Sequence, residues 1–381
     1  MNRKAIAILL TAQLMLTTAG CSSMFEDTYT SSTDFKGSQE LELDADTEVV
    51  KSYSALRRRI FSMVNNHEET AHLLISGYSG DVASDIASIC GSVNIDSALG
   101  AYCVEYVSYD LTQIVSYYEA EIRISYKYTR EELENLVTVA NNSAFSDAFA
   151  QQVAEGREHM VFKVNNGIVD DAAVTELIQQ SCRDHPMAIS YIPEVSVKVY
   201  SGSGSQKIYD VSVSYGSQYG TNAARLSALA NAVANAKRSI PASSDAWMVI
   251  NAARYLGNNC VVLEDGGSTA YDALVECTAD SEGMAVAFKA LCDKLGVECQ
   301  VISGKMDKNP HFWNIVRVED AWYHVDVSEL LEKGGEEALF LNDSQKSATC
   351  WWNLTDYPAC EGSLTYSSIV EPGTETEPSE V

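Results

Sequence analysis

A serine at position 281 opens an amphipathic stretch. A histidine stands at 311 in a run of strand-forming residues, and an aspartate at 326 in the next such run. A nucleophile at the start of a helix, an imidazole and a carboxylate are the groups of acyl-transfer chemistry. The helix end favours negative charge on the nucleophile, the imidazole takes its proton, and the carboxylate fixes the imidazole tautomer. The difficulty lies in the first residue. A cysteine there can be stored as thiolate beside an imidazolium before substrate arrives, whereas a serine gives up its proton only during attack. The site therefore either works through a hydroxyl or has given up catalysis.

The neighbouring pattern says how these residues are positioned. In "SEGMAVAFKALCDKLG" the residues Met284, Ala287, Phe288, Leu291 and Leu295 recur at helical spacing, which predicts one buried stripe ended by Gly296. Ser281 is expected as the N-cap, with no capping box because Met284 stands at the third following position. "VECQVIS" continues as a strand. "HFWNIVRV" and "AWYHVDVS" read as two more, joined at Glu319-Asp320. That turn pairs Val318 with Ala321 and sets Trp313 opposite Asp326, so His311 and Asp326 become diagonal neighbours on one face. No thiol replaces Ser281 from nearby in sequence. Cys277 is up to ~13 Å away along extended chain, and Cys292 lies ~16 Å along the helix axis. Trp313, Trp322, Trp351 and Trp352 are expected mainly in the core.

Together "SEGMAVAFKALCDKLGVECQVISG", "HFWNIVRVEDAWYHVDVS", "LFLNDSQ" and "YPAC" resemble the bacterial transglutaminase-like superfamily, a papain-like fold, over roughly residues 240 to 362. The resemblance implies a triad of helix Cys, strand His and strand Asp for acyl transfer or amide hydrolysis. It puts His311 and Asp326 in their usual roles and Ser281 in the nucleophile position. No cofactor is expected. Three functions follow: a non-catalytic domain that binds peptide or cell-wall material, an active acyl transferase or hydrolase using Ser281, His311 and Asp326, and a structural surface protein.

The rest of the chain sets the context. Asn2-Arg3-Lys4 and the apolar run to Ala19 have the form of a signal peptide, too short to span a bilayer. Thr18-Ala19-Gly20-Cys21 resembles a bacterial lipobox, so residues 1–20 are expected to be removed and Cys21 lipidated. Residues 21–50, acidic and rich in Ser and Thr, then read as a tether from a membrane to extracytoplasmic domains. Residues 366–381 read as a disordered acidic tail. A net charge of −27 excludes nucleic acid as a partner, since no basic stripe exists to neutralise phosphates. The expected partners are the membrane and a peptide, protein or cell-wall ligand. Ten cysteines in an exported chain raise the question of disulfides, for which Cys350 and Cys360 are the leading pair. Cys90–Cys103, Cys260–Cys277 and Cys292–Cys299 are weaker pairs. Neither CxxC nor HExxH occurs and the histidines are scattered, so no metal is expected.

Between tether and C-terminal domain, two segments share one pattern of helix, strand, helix, strand, strand with a period of about 88 residues. The expected fold class is α+β, with repeats over 51–135 and 136–225 ahead of a transglutaminase-like domain over 230–365.

Overall fold

The computed structural model describes residues 48–215, 222–335 and 338–370. The expected signal peptide, Cys21, the tether as far as residue 47 and the tail beyond residue 370 lie outside the described residues.

The first module runs β1 (Glu48–Val50), α1 (Tyr53–Asn66), β2 (Thr70–Ser76), α2 (Val82–Asp96), α3 (Ala98–Cys103), β3 (Val104–Ile114) and β4 (Tyr117–Tyr126). Its sheet has the order β1-β2-β4-β3, with β1 parallel to β2 and the other pairs antiparallel. Leu56, Ile60 and Met63 of α1 and Ile86, Ile89 and Val93 of α2 recur every three or four residues and bury against the sheet. α4 (Arg130–Glu134) leads to the second module: β5 (Val137–Asn141), α5 (Asn142–Ala154), β6 (His159–Asn166), α6 (Asp171–Asp184), β7 (Glu194–Ser201) and β8 (Lys207–Ser214). Its sheet is ordered β5-β6-β8-β7, again with one parallel pair at the β5 edge. Phe145, Phe149, Phe162, Val174 and Ile178 fill this core.

One expectation needs correction here. Residues 48–50, assigned to the tether, form β1, because Val50 finds a buried place and Glu48 pairs with Arg59 at 2.8 Å. Tyr102 belongs to α3, which Ser97 caps by accepting the Gly100 N–H. Between α6 and β7, Ile189 and Tyr191 are buried in irregular chain.

The C-terminal region begins with α7 (Asn222–Ser239) and α8 (Asp245–Asn259). Ser244 caps α8. A parallel pair, β9 (Val261–Gly267) and β10 (Thr278–Ala279), flanks α9 (Ala270–Leu274). Then come α10 (Ser281–Leu295), β11 (Cys299–Met306), β12 (Asn309–Val318), β13 (Ala321–Val325), α11 (Val327–Lys333), β14 (Leu339–Leu341), α12 (Asp343–Lys346), β15 (Cys350–Trp352) and α13 (Tyr366–Val370). α13 starts where the tail was expected, and Arg254 donates to the Tyr366 hydroxyl at 2.6 Å. The strands from β11 onward form an antiparallel sheet ordered β14-β13-β12-β11-β15. Its period-two alternation divides β12. Val316 and Val318 join the core that holds α10, while Trp313 and Ile315 face a smaller core with Ile302, Cys350, Trp352 and Cys360. Trp351, expected in the core, is 64% exposed because it alternates with Trp352 on an edge strand.

Candidate functional site

α10 is held by its stripe: Met284, Ala287, Phe288 and Leu291 are all buried. Gly283 in its first turn has no room for a Cβ, which would collide with the Gly267 carbonyl. That absence of a side chain lets β9 approach the helix start. The N-cap is Asp280, not Ser281: its Oδ1 accepts the Gly283 N–H at 2.8 Å. An aspartate one residue earlier, an equally good cap, takes the role and meets an orphan N–H of the first turn. Ser281 is therefore the first helical residue, free to turn its hydroxyl elsewhere.

The β12–β13 hairpin has the expected register, with Val318 opposite Ala321 and Asn314 opposite Val325. Glu319 takes a positive φ of 56° in the turn. His311 and Asp326 are joined: Nε2 lies 2.7 Å from Oδ2, and since a carboxylate only accepts, the ring donates. Ser281 does not join them through a hydrogen bond. Its hydroxyl accepts the backbone N–H of Phe312 at 3.3 Å, one residue along from His311. The Nδ1 of His311 makes no hydrogen bond among the described residues, and the residue keeps 8% exposure.

Sequence reasoning missed what surrounds Asp326. The residue is fully buried and caps α11, its Oδ1 accepting from the Ser328 hydroxyl at 2.8 Å and the Glu329 N–H at 2.9 Å. The same Oδ2 that takes the His311 proton also accepts from the Lys346 ammonium at 2.6 Å. Lys346 is wholly inside, bonded as well to Glu329 Oε2 at 2.8 Å and 5.1 Å from the centre of the Trp313 ring. Burial alone would push the Asp326 carboxyl up. The bond from His311 and the Lys346 charge overcome it and hold the group well below the usual carboxylate range. Burial likewise opposes charge on Lys346, yet the two carboxylates raise it above an ordinary lysine. A lysine on a short helix in a polar stretch carries no sequence signal for such a position.

A thiol also reaches the site. Cys350 Sγ, His311 and Asp326 offer ligand atoms all within 4.8 Å of one another, and His324, Asp343 and Cys360 make a second such group. Neither set suits a metal as it stands. Asp326 already accepts four donors, and a buried ammonium lies on one of its oxygens. In the second group, His324 Nδ1 accepts the Trp313 indole N–H at 2.9 Å, so the proton sits on Nε2 and goes to Asp343 Oδ1 at 2.9 Å. The proposed Cys350–Cys360 disulfide is not formed, and all nine described cysteines are free. Each of those two thiols is drawn to a different His–Asp pair. Burial pushes both thiols up, Cys360 further because Asp343 adds its charge.

The second module leans over this region. Arg183 of α6 donates to Glu282 Oε1 at 2.7 Å and places its guanidinium 4.9 Å from the Phe312 ring. These two residues directly follow Ser281 and His311. A solvent-open concavity of about 840 Å³ lies elsewhere, on the first module, lined by His67, Glu69, Tyr106, Arg123, Tyr126 and Arg130 among others. Its arginines are paired already, Arg123 with Asp110 and Glu121 and Arg130 with Glu134.

No family model and no curated protein matches the chain. Among solved structures, a crystal structure of a TGase is similar at 14% identity and a TM-score of 0.26, over 54% of this chain and 60% of that one. A protein from Cytophaga hutchinsonii, provisionally assigned as a cysteine protease, is similar at 12% identity and a TM-score of 0.25, over 39% of this chain and 65% of that one. The chain spans less than two thirds of either length, and superpositions this loose carry no weight for fold or activity.

Proposed function

We propose that the C-terminal region is a transglutaminase-like domain that binds peptide or cell-wall material without processing it, in a lipoprotein anchored outside the cytoplasm through Cys21. The observation that carries this reading is the missing link between nucleophile and base. The Ser281 Oγ accepts the Phe312 N–H, and no hydrogen bond connects it to His311 among the described residues. A serine without a base at its proton stays a poor nucleophile. The small antiparallel sheet with His311 and Asp326 on one face, and a helix starting at Ser281 on the other, supports the family resemblance. The two preceding modules share strand order and pairing sense, which supports their being copies of one unit that presents this domain.

Full-length protein incubated with peptidoglycan fragments and short amide-bearing peptides tests the proposal. Retention of ligand with no release of ammonia or cleaved product is expected, and turnover that stops in Ser281→Ala would overturn it. The retained His311–Asp326 bond favours a second reading, a slow hydrolase or acyl transferase using Ser281, which that same assay separates. Anchoring is tested by Cys21→Ala in a bacterial host: unchanged membrane partition would remove that part.

A further inference from the structure

We infer that Lys346 is a positioning residue that withholds Asp326 from His311, so that the imidazole serves as a hydrogen-bond acceptor toward ligand and not as a base. The inference rests on the non-catalytic reading above and says what the site does instead. A carboxylate assists a catalytic imidazole by bearing the opposite charge when the ring becomes a cation. Here the oxygen receiving His311 Nε2–H already carries an ammonium, at 2.6 Å, and the other oxygen is filled by Ser328 and Glu329. A second cation on one oxygen opposes a cation on the ring, in a buried setting where charges are weakly screened.

The other charged or titratable groups around the pair do not cancel this. Glu329 on α11 is shared between Lys346 and Lys333. Glu282 on α10 is matched by Arg183 on α6, and Asp280 is occupied as the N-cap and by Ser268. Cys350 on β15 is a buried thiol, and on β13 His324 lies beyond Trp313 with both nitrogens bonded. With Nε2–H committed to Asp326, the ring presents an unprotonated Nδ1. The ligand class that matches is one offering a donor, a peptide amide N–H or a sugar hydroxyl.

Lys346→Met would leave the buried Asp326 carboxylate without its cation and can fail to fold. Lys346→Gln combined with Glu329→Gln removes one positive and one negative charge, so the cluster keeps its net charge while Asp326 is freed. The measurement is the ring titration of His311 by NMR in full-length protein, assigned with His311→Gln. The midpoint should move up by at least one pH unit in the double variant, and stay in place in Lys346→Arg. A midpoint within about 0.3 unit of the parent in the double variant would overturn the inference. As a second arm, Ser281→Cys should label with iodoacetamide at least tenfold faster at pH 6 once the double change is added, and lose that gain with His311→Ala. Equal labelling rates with and without the double change would overturn it too. Neither arm uses a ligand, so failure here leaves the binding reading standing, and failure to bind ligand leaves the titration result standing.

Discussion

The sheet carries two buried His–Asp pairs a short distance apart, each with a thiol near it, and they differ in how many valences remain. His324 has its Nδ1 filled by Trp313 and its Nε2 by Asp343, and is 1% exposed. His311 has one nitrogen engaged and one without a hydrogen bond, and keeps a little solvent contact. The pair alone is therefore a poor marker of a site. A closed imidazole is a strut between strand and loop, whereas an open one can still meet a ligand.

Four effects break or sharpen this contrast. The largest effect belongs to the cation between the two pairs. Lys346→Met should cost about 3–5 kcal/mol of stability, since it strands the buried Asp326 carboxylate and takes from Glu329 one of its two counter-ions, and should be read as a fall in denaturation midpoint. Next, His324→Leu should cost about 2 kcal/mol by leaving the Trp313 N–H and Asp343 Oδ1 without their partner, while His311→Gln should cost less than ~1 kcal/mol. Equal costs at the two positions would erase the distinction between strut and site. A smaller effect is on pH dependence. Burial holds His324 below an ordinary histidine, in spite of Asp343, so the unfolded chain binds a proton near pH 6.5 that the folded chain refuses. Stability should then fall as pH drops below about 6.5, by no more than ~1.4 kcal/mol per unit, and His324→Gln should flatten that slope. The smallest effect is expected at Ser281→Ala, within ~0.5 kcal/mol, because its hydroxyl accepts one long bond.

What could be read from the chain beforehand follows range of interaction. The His311–Asp326 contact was legible because a tight turn at Glu319-Asp320 and a period of two fix it locally. The α10 stripe was legible for the same reason. Lys346 was not, because its burial depends on a distant cap, Asp326, and a distant carboxylate, Glu329, that no local pattern connects. The N-cap slipped by one residue because Asp280 and Ser281 are both good caps and only packing chooses between them. β1 and β5 were missed since short parallel edge strands have no turn to announce them and pair with a strand beyond an intervening helix. Residues 48–50 fell to the tether for that reason.

The Arg183–Glu282 contact ties a helix of the second module to the first turn of α10, and both side chains are largely buried. A bond of that kind makes the cores of the two regions share one unfolding event. The described residues from 48 to 370 also belong to a single compact unit. Heating should therefore give one calorimetric transition with equal calorimetric and van't Hoff enthalpies, and Arg183→Ala should split it into two. Cooperativity, then, is settled at the doorway of the site: whatever loosens Phe312 and Glu282 for a ligand also loosens the joint between the domains.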